Sequence, residues 1–408
     1  MDRTIHKIMF HINSLGKGGA ERVVSLLANR FVGNGVEVVI ATEWVSEDEY
    51  EIDSKVKRIH AGLVGKQEQA SRIAKQWYRI QNLRKVLLKE QPEVLLSFCV
   101  KANYRAMMAS VGTGIPVIVS VRNDPKIDYV GKANTFMNKV FLNQAAGCVF
   151  QTEEAKEFFD EKLQKKSRII CNPVNEKYLK AARKATEKKI VCVGRLVAQK
   201  NQMLLVNAFE RILEKYPQYH LYLYGDGSDD ECKAELVQYV NQKSVLIKEK
   251  REQDLVQTQE TVTDQIRTDE VAEGRETDVQ KRIFLKNHVH FMGLSNTLEQ
   301  DMADAAMFVL PSNYEGMPNA LMEAMALGLP VISTDCPCGG SRYWIQPGRT
   351  GQLVPVRNID SMTEAMEFYI LNPQEACEMG KRAKERLKEA TLENIFEQWM
   401  AYIREVIS

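Results

Sequence analysis

Short apolar runs alternate with longer stretches of helical periodicity along the first part of the chain. Runs at 8–12, 36–41 and 94–98 have the length of strands. The stretches at about 20–34 and 70–89 repeat their apolar positions with helical spacing. This alternation predicts βαβ units around a parallel sheet. Further strands of the same sheet are expected at 116–121, 147–151 and 167–171.

A second series of the same kind follows a break at Asn172-Pro-Val, where we place a hinge. The expected architecture is therefore α/β, with two facing Rossmann-like domains and a cleft between them. We assign residues 1–172 to the first domain, 173–388 to the second and 389–408 to a C-terminal helix. The strands expected in the second domain are 189–193, 220–224, 288–291, 307–310, 330–333 and 351–354.

Two segments depart from this rhythm. Residues 245–285 are dense in alternating charge and nearly free of aromatic side chains, which favours a solvated helical hairpin or a mobile loop over a partner-binding arm. The last helix, from Thr391 to about Ile407, gathers its apolar residues on one face, so it must pack on something. These residues are Leu392, Ile395, Phe396, Trp399, Tyr402, Ile403 and Val406.

Composition narrows the function classes. A chain of 408 residues exceeds the size of one ordinary core, which supports two domains. The formal charge of +1 argues against a nucleic-acid binder that relies on bulk electrostatics. With no signal-like apolar start and no run of about 18 apolar residues, we expect a cytoplasmic protein. The scattered cysteines are typical of reduced core thiols, and Cys336-Pro-Cys338 lacks the further ligands that a zinc site needs.

The segment from Glu315 to Gly328 is a helix that should be apolar yet carries a carboxylate in its middle. Pro318 suits the first helical position, and Gly328 suits the end. Nearly all side chains between them are Ala, Leu or Met, so the helix should be buried, and an unpaired Glu323 there would cost several kcal/mol. Glu323 therefore needs a partner. Glu315 precedes the helix, whose free N–H groups favour an anion such as a diphosphate.

Two glutamates separated by seven residues, within 311–326, resemble the signature of the family 4 retaining glycosyltransferases. The resemblance extends to Gly16-Lys-Gly-Gly-Ala-Glu-Arg22 and to the segment 193–201, in the expected order. It implies a GT-B-type fold, in which a C-terminal helix crosses back to the first domain. It weakens over about 45–115 and fails over about 245–285.

The resemblance also implies how a nucleotide sugar is held. Glu323 would bind the ribose hydroxyls, and Glu315 would lie near the transferred sugar. Arg195 and Lys200 would bind the donor phosphates, a role suited to one forked and one point-like cation. The base would meet the main chain near Met292. The full set of donor-binding residues is Gly18, Gly19, Met292, Arg195, Lys200, Glu315, Gly316, Met317, Asn319, Ala320 and Glu323, of which Asn319 and Ala320 would offer backbone N–H groups.

One position departs from the family pattern. Many relatives carry a histidine after the corresponding first-domain strand, where it touches the sugar, whereas this chain has Arg122-Asn123. We assign the sugar contact to Asn123. The expected catalytic residues are then Asn123, Glu315, Arg195 and Lys200. The alternative is that Asn123-Asp-Pro is an ordinary turn.

A basic and aromatic helix in the first domain has two interpretations. Its cluster combines cations with aromatic and leucine side chains, as do helices that lie on anionic membranes. Most such helices are merely half buried with a solvated charged face. This half-buried helix is the favoured interpretation, and peripheral membrane contact is the alternative, to which a second basic and aromatic stretch at 126–141 and the lipid-linked acceptors of many relatives add weight. The cluster is Arg72, Lys75, Trp77, Tyr78, Arg79, Leu83, Arg84, Lys85, Leu87 and Leu88.

The function expected from these features is sugar transfer with retention from a nucleoside diphosphate donor to an acceptor hydroxyl. Cations and helix N–H groups would stabilise the leaving diphosphate without a metal or another cofactor. The resemblance, and not the residues themselves, implies UDP-hexose or UDP-N-acetylhexosamine as the donor, and a glycan or lipid-linked acceptor of bacterial surface polysaccharide synthesis as the partner. A non-hydrolysing nucleotide-sugar epimerase and a catalytically silent nucleotide-sugar-binding subunit are the alternatives.

Overall fold

A computed structural model describes residues 4–184, 186–227, 231–249 and 279–408. In these ranges the first domain is built on a parallel sheet of seven strands in the order β3-β2-β1-β4-β5-β6-β7. The strands are β1 (Lys7–His11), β2 (Glu37–Thr42), β3 (Lys57–His60), β4 (Val94–Phe98), β5 (Val117–Ser120), β6 (Gly147–Phe150) and β7 (Ser167–Ile169). The strand order reverses between β1 and β4, which places a crevice beyond their carboxyl ends.

The second domain repeats this design. Its described strands form a six-stranded parallel sheet in the order β12-β9-β8-β13-β14-β15, which again reverses next to its first strand. The fold is thus two doubly wound Rossmann-like domains, as expected from the sequence. The strands are β8 (Lys189–Val193), β9 (His220–Tyr224), β12 (Val289–Gly293), β13 (Met307–Leu310), β14 (Val331–Thr334) and β15 (Gln352–Val354).

Helices connect and cover both sheets. In the first domain they are α1 (Gly19–Gly33), α2 (Arg72–Glu90), α3 (Val100–Ser110), α4 (Pro125–Asp128), α5 (Lys132–Val140), α6 (Glu153–Glu157) and α7 (Glu161–Gln164). Thereafter come α8 (Glu176–Lys180), α9 (Gln202–Lys215), α10 (Glu231–Gln242), α11 (Leu298–Asp301), α12 (Asn319–Ala326), α13 (Gly340–Trp344), α14 (Ile359–Leu371), α15 (Pro373–Arg386) and α16 (Leu392–Ile407). None of the helices described is both long and apolar enough to cross a bilayer.

The apolar pattern located the central strands well because they are buried on both faces. All five residues of β4 are buried, as are all four of β13. The edge strand β3 was missed because its sequence, Lys-Arg-Ile-His, is polar and its side chains are exposed or half buried. An edge strand of this kind carries little apolar signal.

The two ends of the charged insertion are strands, whereas the sequence favoured a helical hairpin or a mobile loop. Its two ends are the antiparallel strands β10 (Ser244–Glu249) and β11 (Val279–Phe284), which pair along their full length. The expectation of helices is therefore wrong at both ends. The rest of the insertion, 250–278, lies outside the described residues.

The C-terminal helix α16 returns to the first domain. Thr391 caps its start by accepting a hydrogen bond from the Asn394 N–H at 3.3 Å. The Trp399 ring lies fully buried and stacks on Phe98 of β4, with ring centroids 5.8 Å apart. The Tyr402 hydroxyl accepts from the backbone N–H of Cys148 at 2.8 Å. The apolar face recognised in the sequence thus packs against the first sheet and not within the second domain.

Candidate active site

The helix α12 begins one residue later than its sequence suggests and is fixed at both ends. Pro318 occupies the capping position, not the first helical one, and the first helical bond runs from the Met322 N–H to the Pro318 carbonyl at 3.2 Å. Gly328 has φ +77° and follows the helix. Its N–H bonds to the Met325 carbonyl and that of Leu329 to the Ala324 carbonyl, which is a Schellman ending. The free N–H groups at the start of α12 therefore have a defined position.

Glu315 is buried just ahead of this helix and is paired inside its own domain. Its Oε1 accepts a hydrogen bond from the Ser312 hydroxyl at 2.6 Å and forms an ion pair with the Lys200 ammonium. Only 5% of Glu315 is exposed. Two of the predicted site residues, Lys200 and Glu315, are thus in direct contact, although 115 positions separate them in the chain.

The loop that carries Arg195 and Lys200 is tied to the loop that carries Glu315. The Asn313 N–H donates to the Gln199 carbonyl at 2.8 Å, and the Gln199 side chain donates to the Tyr314 carbonyl at 3.0 Å. These bonds hold the loops after β8 and β13 side by side at the carboxyl edge of the sheet. The Arg195 side chain is exposed, unlike Lys200, so it is available to a ligand.

The loops after β9 and β12 join the same edge. Gly225 has φ +129°, and a Cβ there would collide with the Gly194 carbonyl oxygen, so only glycine fits. Its N–H donates to the Gly293 carbonyl at 2.8 Å. Met292 lies on the edge strand beside this bond with 44% of its surface exposed. The expected base-binding segment is therefore open on one side.

The glycine loop of the first domain faces α12 across the cleft. Gly18 caps the start of α1, and the Gly19 carbonyl accepts a hydrogen bond from the Asn319 side chain at 3.1 Å. A Cβ on Gly18 would collide with the carboxylate of Glu21. Burial raises the pKa of Glu21 above its usual value, and the positive charge of Arg195 partly opposes this shift. The first-domain loop therefore meets the second domain at the predicted donor site.

Glu323 has a protein partner that the sequence interpretation did not assign. Its carboxylate is 3% exposed and forms an ion pair with the guanidinium of Arg22, on α1 of the first domain. Tyr50 orients that guanidinium, since the Arg22 Nε donates to the Tyr50 hydroxyl at 3.2 Å and the guanidinium also lies over the ring. Arg22 is the last residue of the motif at 16–22. The sequence therefore marked this residue as part of a family motif, but it did not indicate that Arg22 pairs with Glu323.

Asn123 is engaged in a local turn. Its side chain donates a weak hydrogen bond to Asp128 at 3.4 Å, and Asp124 caps α4 by accepting from the Lys126 N–H at 2.9 Å. Burial raises the pKa of Asp128. The turn former expected as the alternative is thus present, and a sugar contact by Asn123 stays a prediction.

Two further residues of the first domain reach the segment between Glu315 and α12. Gln151 accepts a hydrogen bond from the Met317 N–H at 3.2 Å, and Asn172 donates to the Met317 carbonyl at 3.1 Å. Neither was proposed as a site residue. Asn172 was noted only as the break between domains.

The thiols near the site are buried. Cys192, Cys336 and Cys338 are free, and burial raises the pKa of Cys336 to about 12 and that of Cys338 to about 11. Within the described ranges, no three His, Cys, Asp or Glu side chains are grouped so as to hold a metal ion.

Two doubly wound Rossmann-like domains meet with the loops after β8 and β13 on one side and the glycine loop of the first domain on the other. Comparison with known families identifies the class of protein. Residues 17–178 match the model described as Glycosyltransferase Family 4, and residues 174–258 and 246–372 match two models described as Glycosyl transferases group 1. The chain is a glycosyltransferase of the family 4 type with the GT-B fold.

Individual relatives span the whole chain at low identity. An uncharacterised glycosyltransferase of Haemophilus influenzae is 22% identical and covers 96% of this chain and 98% of its own length. A Campylobacter jejuni α-1,4-N-acetylgalactosaminyltransferase, named for a diphospho-undecaprenol-linked substrate, is 23% identical, covering 98% and 99%. The structure of Anabaena HepE in complex with UDP and glucose superimposes with a TM-score of 0.72 at 16% identity, covering 97% and 98%.

Proposed function

We propose that this glycosyltransferase moves a sugar, with retention of configuration, from a uridine diphosphate donor to a hydroxyl group of a glycan or lipid-linked acceptor. The proposal depends above all on one arrangement. The Lys200–Glu315 pair lies directly ahead of the free N–H groups of α12, at the edge where four strand ends of the second sheet converge. A diphosphate bound there would meet a cation and a helix N-terminus together.

The described geometry supports a leaving-group role for these residues. Departure of the diphosphate develops negative charge, which Lys200, Arg195 and the N–H groups of Asn319 and Ala320 would stabilise. Because loop-to-loop hydrogen bonds hold the backbone on either side of the Lys200–Glu315 pair, little reorganisation of Lys200 would accompany the reaction. We infer that no metal is required, since fixed cations and dipoles can supply the charge that a metal would otherwise supply.

Retention is proposed to follow from attack on the face from which the diphosphate leaves, with the departing phosphate accepting the acceptor's proton. A nucleophilic carboxylate is not required in this scheme. Glu315 is already paired with Lys200, and it would orient that cation and the sugar rather than attack carbon. Asn123 is retained as a candidate sugar contact from the first domain.

The substrates are proposed from the relatives. The HepE complex contains UDP and glucose, which supports a UDP-hexose or UDP-N-acetylhexosamine donor. The Campylobacter enzyme acts on a lipid-diphosphate-linked glycan, which supports a related acceptor in bacterial surface polysaccharide synthesis. Such an acceptor would bring the first domain to the inner face of the membrane.

Exposed side chains of the first domain support that contact. Ile73 and Trp77, one helical turn apart on α2, are 84% and 59% exposed, and Phe136 on α5 is 63% exposed. Arg72, Lys75 and Lys132 lie close to them in the chain. Cations beside exposed aromatic side chains suit an anionic lipid surface. Co-sedimentation with anionic vesicles should fall for Trp77→Ala and Phe136→Ala, and unchanged co-sedimentation would remove the membrane contact.

A donor screen tests the function. Purified protein is incubated with UDP- and GDP-sugars and an acceptor panel, and released nucleotide is measured with and without EDTA. Glu315→Gln, Arg195→Ala and Lys200→Ala should each lose roughly 10²–10³-fold in kcat. Lys215→Ala removes an exposed ion pair with Glu367 in the same domain and serves as the matched control. Full turnover in the three site variants would refute the site, and abolition by EDTA would refute the metal-free mechanism.

A further inference from the structure

Asn172 lies where the two domains join and bonds to both of them. The Asn172 Oδ1 accepts hydrogen bonds from the Arg122 guanidinium at 2.8 Å and from the Gln151 side chain at 2.6 Å. Its Nδ2 donates to the Met317 carbonyl at 3.1 Å and to the Asn319 Oδ1 at 2.6 Å. A side-chain amide has two N–H groups and two lone pairs, so this one is fully used.

The bonds from Asn172 converge on the segment that leads into α12. Met317 has its carbonyl held by Asn172 and its N–H held by Gln151. Both backbone polar groups of this residue are therefore held by side chains from the first domain or the hinge. A buried backbone group without a partner costs about 1–3 kcal/mol, so this segment depends on these partners for its position.

Two glycines, Gly316 and Gly340, allow the backbone to pack closely around this segment. A Cβ on Gly316 would collide with the Arg122 carbonyl, and a Cβ on Gly340 would collide with the Gly316 carbonyl oxygen. The Met317 side chain is held as well, because the Trp344 indole N–H donates to its sulfur at 3.0 Å. The segment is thus clamped between the two domains.

Arg122 holds Asn172 on the side of the first domain. We call Asn172, Gln151 and Arg122, which together hold the segment 316–317, the clamp. Its guanidinium lies over the Phe98 ring, 4.6 Å from the centroid, and is also within 5.8 Å of the Trp399 centroid. Its Nε and its second terminal nitrogen are buried without a hydrogen-bond partner in the described part of the chain. The bond to Asn172 is therefore the polar contact that orients this cation, and the cation in turn orients the amide.

We propose that Asn172 is a positioning residue, which sets where the N–H groups at the start of α12 meet the donor diphosphate. The inference rests on the proposed function, because that function places the diphosphate at this helix start. Asn172 itself need not touch the donor. Its effect is transmitted through Met317 and Asn319, whose displacement by about 1 Å would be enough to weaken catalysis strongly.

The test compares Asn172→Ala and Asn172→Asp with Asn103→Ala. Asp is nearly isosteric and keeps the acceptor oxygen, but it loses the N–H groups that reach Met317 and Asn319. Asn103 is also fully buried, and its side-chain N–H groups donate to the Ser120 carbonyl and the Tyr129 hydroxyl, both at 2.9 Å. Asn103→Ala therefore removes a comparable buried amide within the first domain alone.

Two readouts separate positioning from simple loss of folded protein. Both Asn172 variants should bind UDP roughly tenfold more weakly while their affinity for uridine stays within about twofold, because only the diphosphate meets the helix start. If the donor screen identifies guanosine donors, GDP and guanosine replace these probes. Asn103→Ala should leave both affinities unchanged. Equal losses for nucleotide and nucleoside, or no loss at all, would overturn the inference.

Hydrogen exchange supplies a measurement that does not depend on substrate. The backbone N–H groups of Met317 and Met322 should exchange roughly tenfold faster in the Asn172 variants than in the wild type, and at the wild-type rate in Asn103→Ala. Unchanged exchange would overturn the clamp while leaving the proposed function standing. If exchange rises but the wild type binds no nucleotide, the clamp is supported and the proposed function fails.

Discussion

Arg22 of the first domain and Glu323 of the second form an ion pair across the cleft. Glu323 lies inside an apolar helix, and a carboxylate there would be strongly destabilised without a counter-ion. The same carboxylate is the residue that the family resemblance assigns to the ribose. In the structure the Glu323 carboxylate is paired with Arg22. Ribose hydroxyls that bind Glu323 must therefore share the carboxylate with Arg22 or displace the Arg22 guanidinium.

Replacing Arg22 should therefore destabilise the protein, because it leaves the buried Glu323 carboxylate without its counter-ion. We expect Arg22→Gln to lower the free energy of unfolding by about 1–3 kcal/mol, less than for a fully buried pair because Arg22 is partly exposed. Saturating UDP should recover part of the loss, since the ribose supplies new hydrogen bonds. Chemical denaturation with and without UDP measures both effects.

The matching control removes the charge of Glu323 as well. In Glu323→Gln the further change of Arg22→Gln should cost much less than it does in the wild type, because no buried charge is left unpaired. Equal costs in both backgrounds would show that the ion pair is not what holds Arg22 in place.

Gly340 should not tolerate a side chain. An alanine Cβ would collide with the Gly316 carbonyl oxygen, and this is rigid backbone on the segment before α12. We expect Gly340→Ala to cost roughly 1–3 kcal/mol of stability and to reduce turnover at least tenfold, because the segment must move. Gly33→Ala, at the end of α1 with open space around it, is the control and should be neutral or slightly stabilising. Wild-type kinetics in Gly340→Ala would contradict this packing.

His11 should make the protein less stable in acid. The imidazole is fully buried, its Nδ1 lies 3.1 Å from the Ala41 carbonyl, and burial lowers its pKa from 6.5 to about 4. Because the unfolded chain binds this proton more readily, stability is complete above about pH 6.5 and falls as the pH drops toward 4. The expected slope is about 1.4 kcal/mol per pH unit.

Denaturation curves measured between pH 7.5 and pH 4 (roughly the range over which a buried histidine titrates) test this slope. His11→Gln should flatten the curve without abolishing its slope, because burial also lowers the pKa values of His220 and His290. His6→Gln, at an exposed position, should leave it unchanged. A wild-type slope in His11→Gln would mean that His11 does not control acid stability.

The C-terminal helix should be needed to hold the first domain together. Trp399 is fully buried against Phe98, so Trp399→Ala should lower the free energy of unfolding by about 3–5 kcal/mol. Trp77→Ala removes the same side chain from an exposed position and should change stability by less than about 0.5 kcal/mol. A small effect at Trp399 would show that its packing against Phe98 contributes little to stability.

Much of the fold follows from local pattern. The strands β1, β4 and β13 were located to within one residue because buried parallel strands are continuous apolar runs bounded by polar residues. The edge strand β3 was not, because its side chains are polar, and the hairpin of β10 and β11 was not, because its short apolar runs border a stretch dense in charge. Apolar periodicity carries little information about an edge strand such as β3, which buries little.

The candidate site divides in the same way. Glu315 and Lys200 were both expected at the donor site because the segments that carry them resemble those of the family, and the structure places them in contact. Arg22 and Asn172 were not expected to reach the site. The motif at 16–22 contains Arg22 but does not indicate its partner, and Asn172 has no local pattern that distinguishes it from an ordinary hinge residue.

The amino-acid sequence by itself determined the order of the buried strands and their connecting helices, the burial of α12 and the need of Glu323 for a partner, since these depend on neighbours a few residues away and on the cost of burying charge. Which partner it has was decided only by the tertiary structure. Arg22 meets Glu323, and Asn172 meets Met317, because two separately folded sheets are packed with their carboxyl edges facing, and that packing is set by contacts throughout both domains.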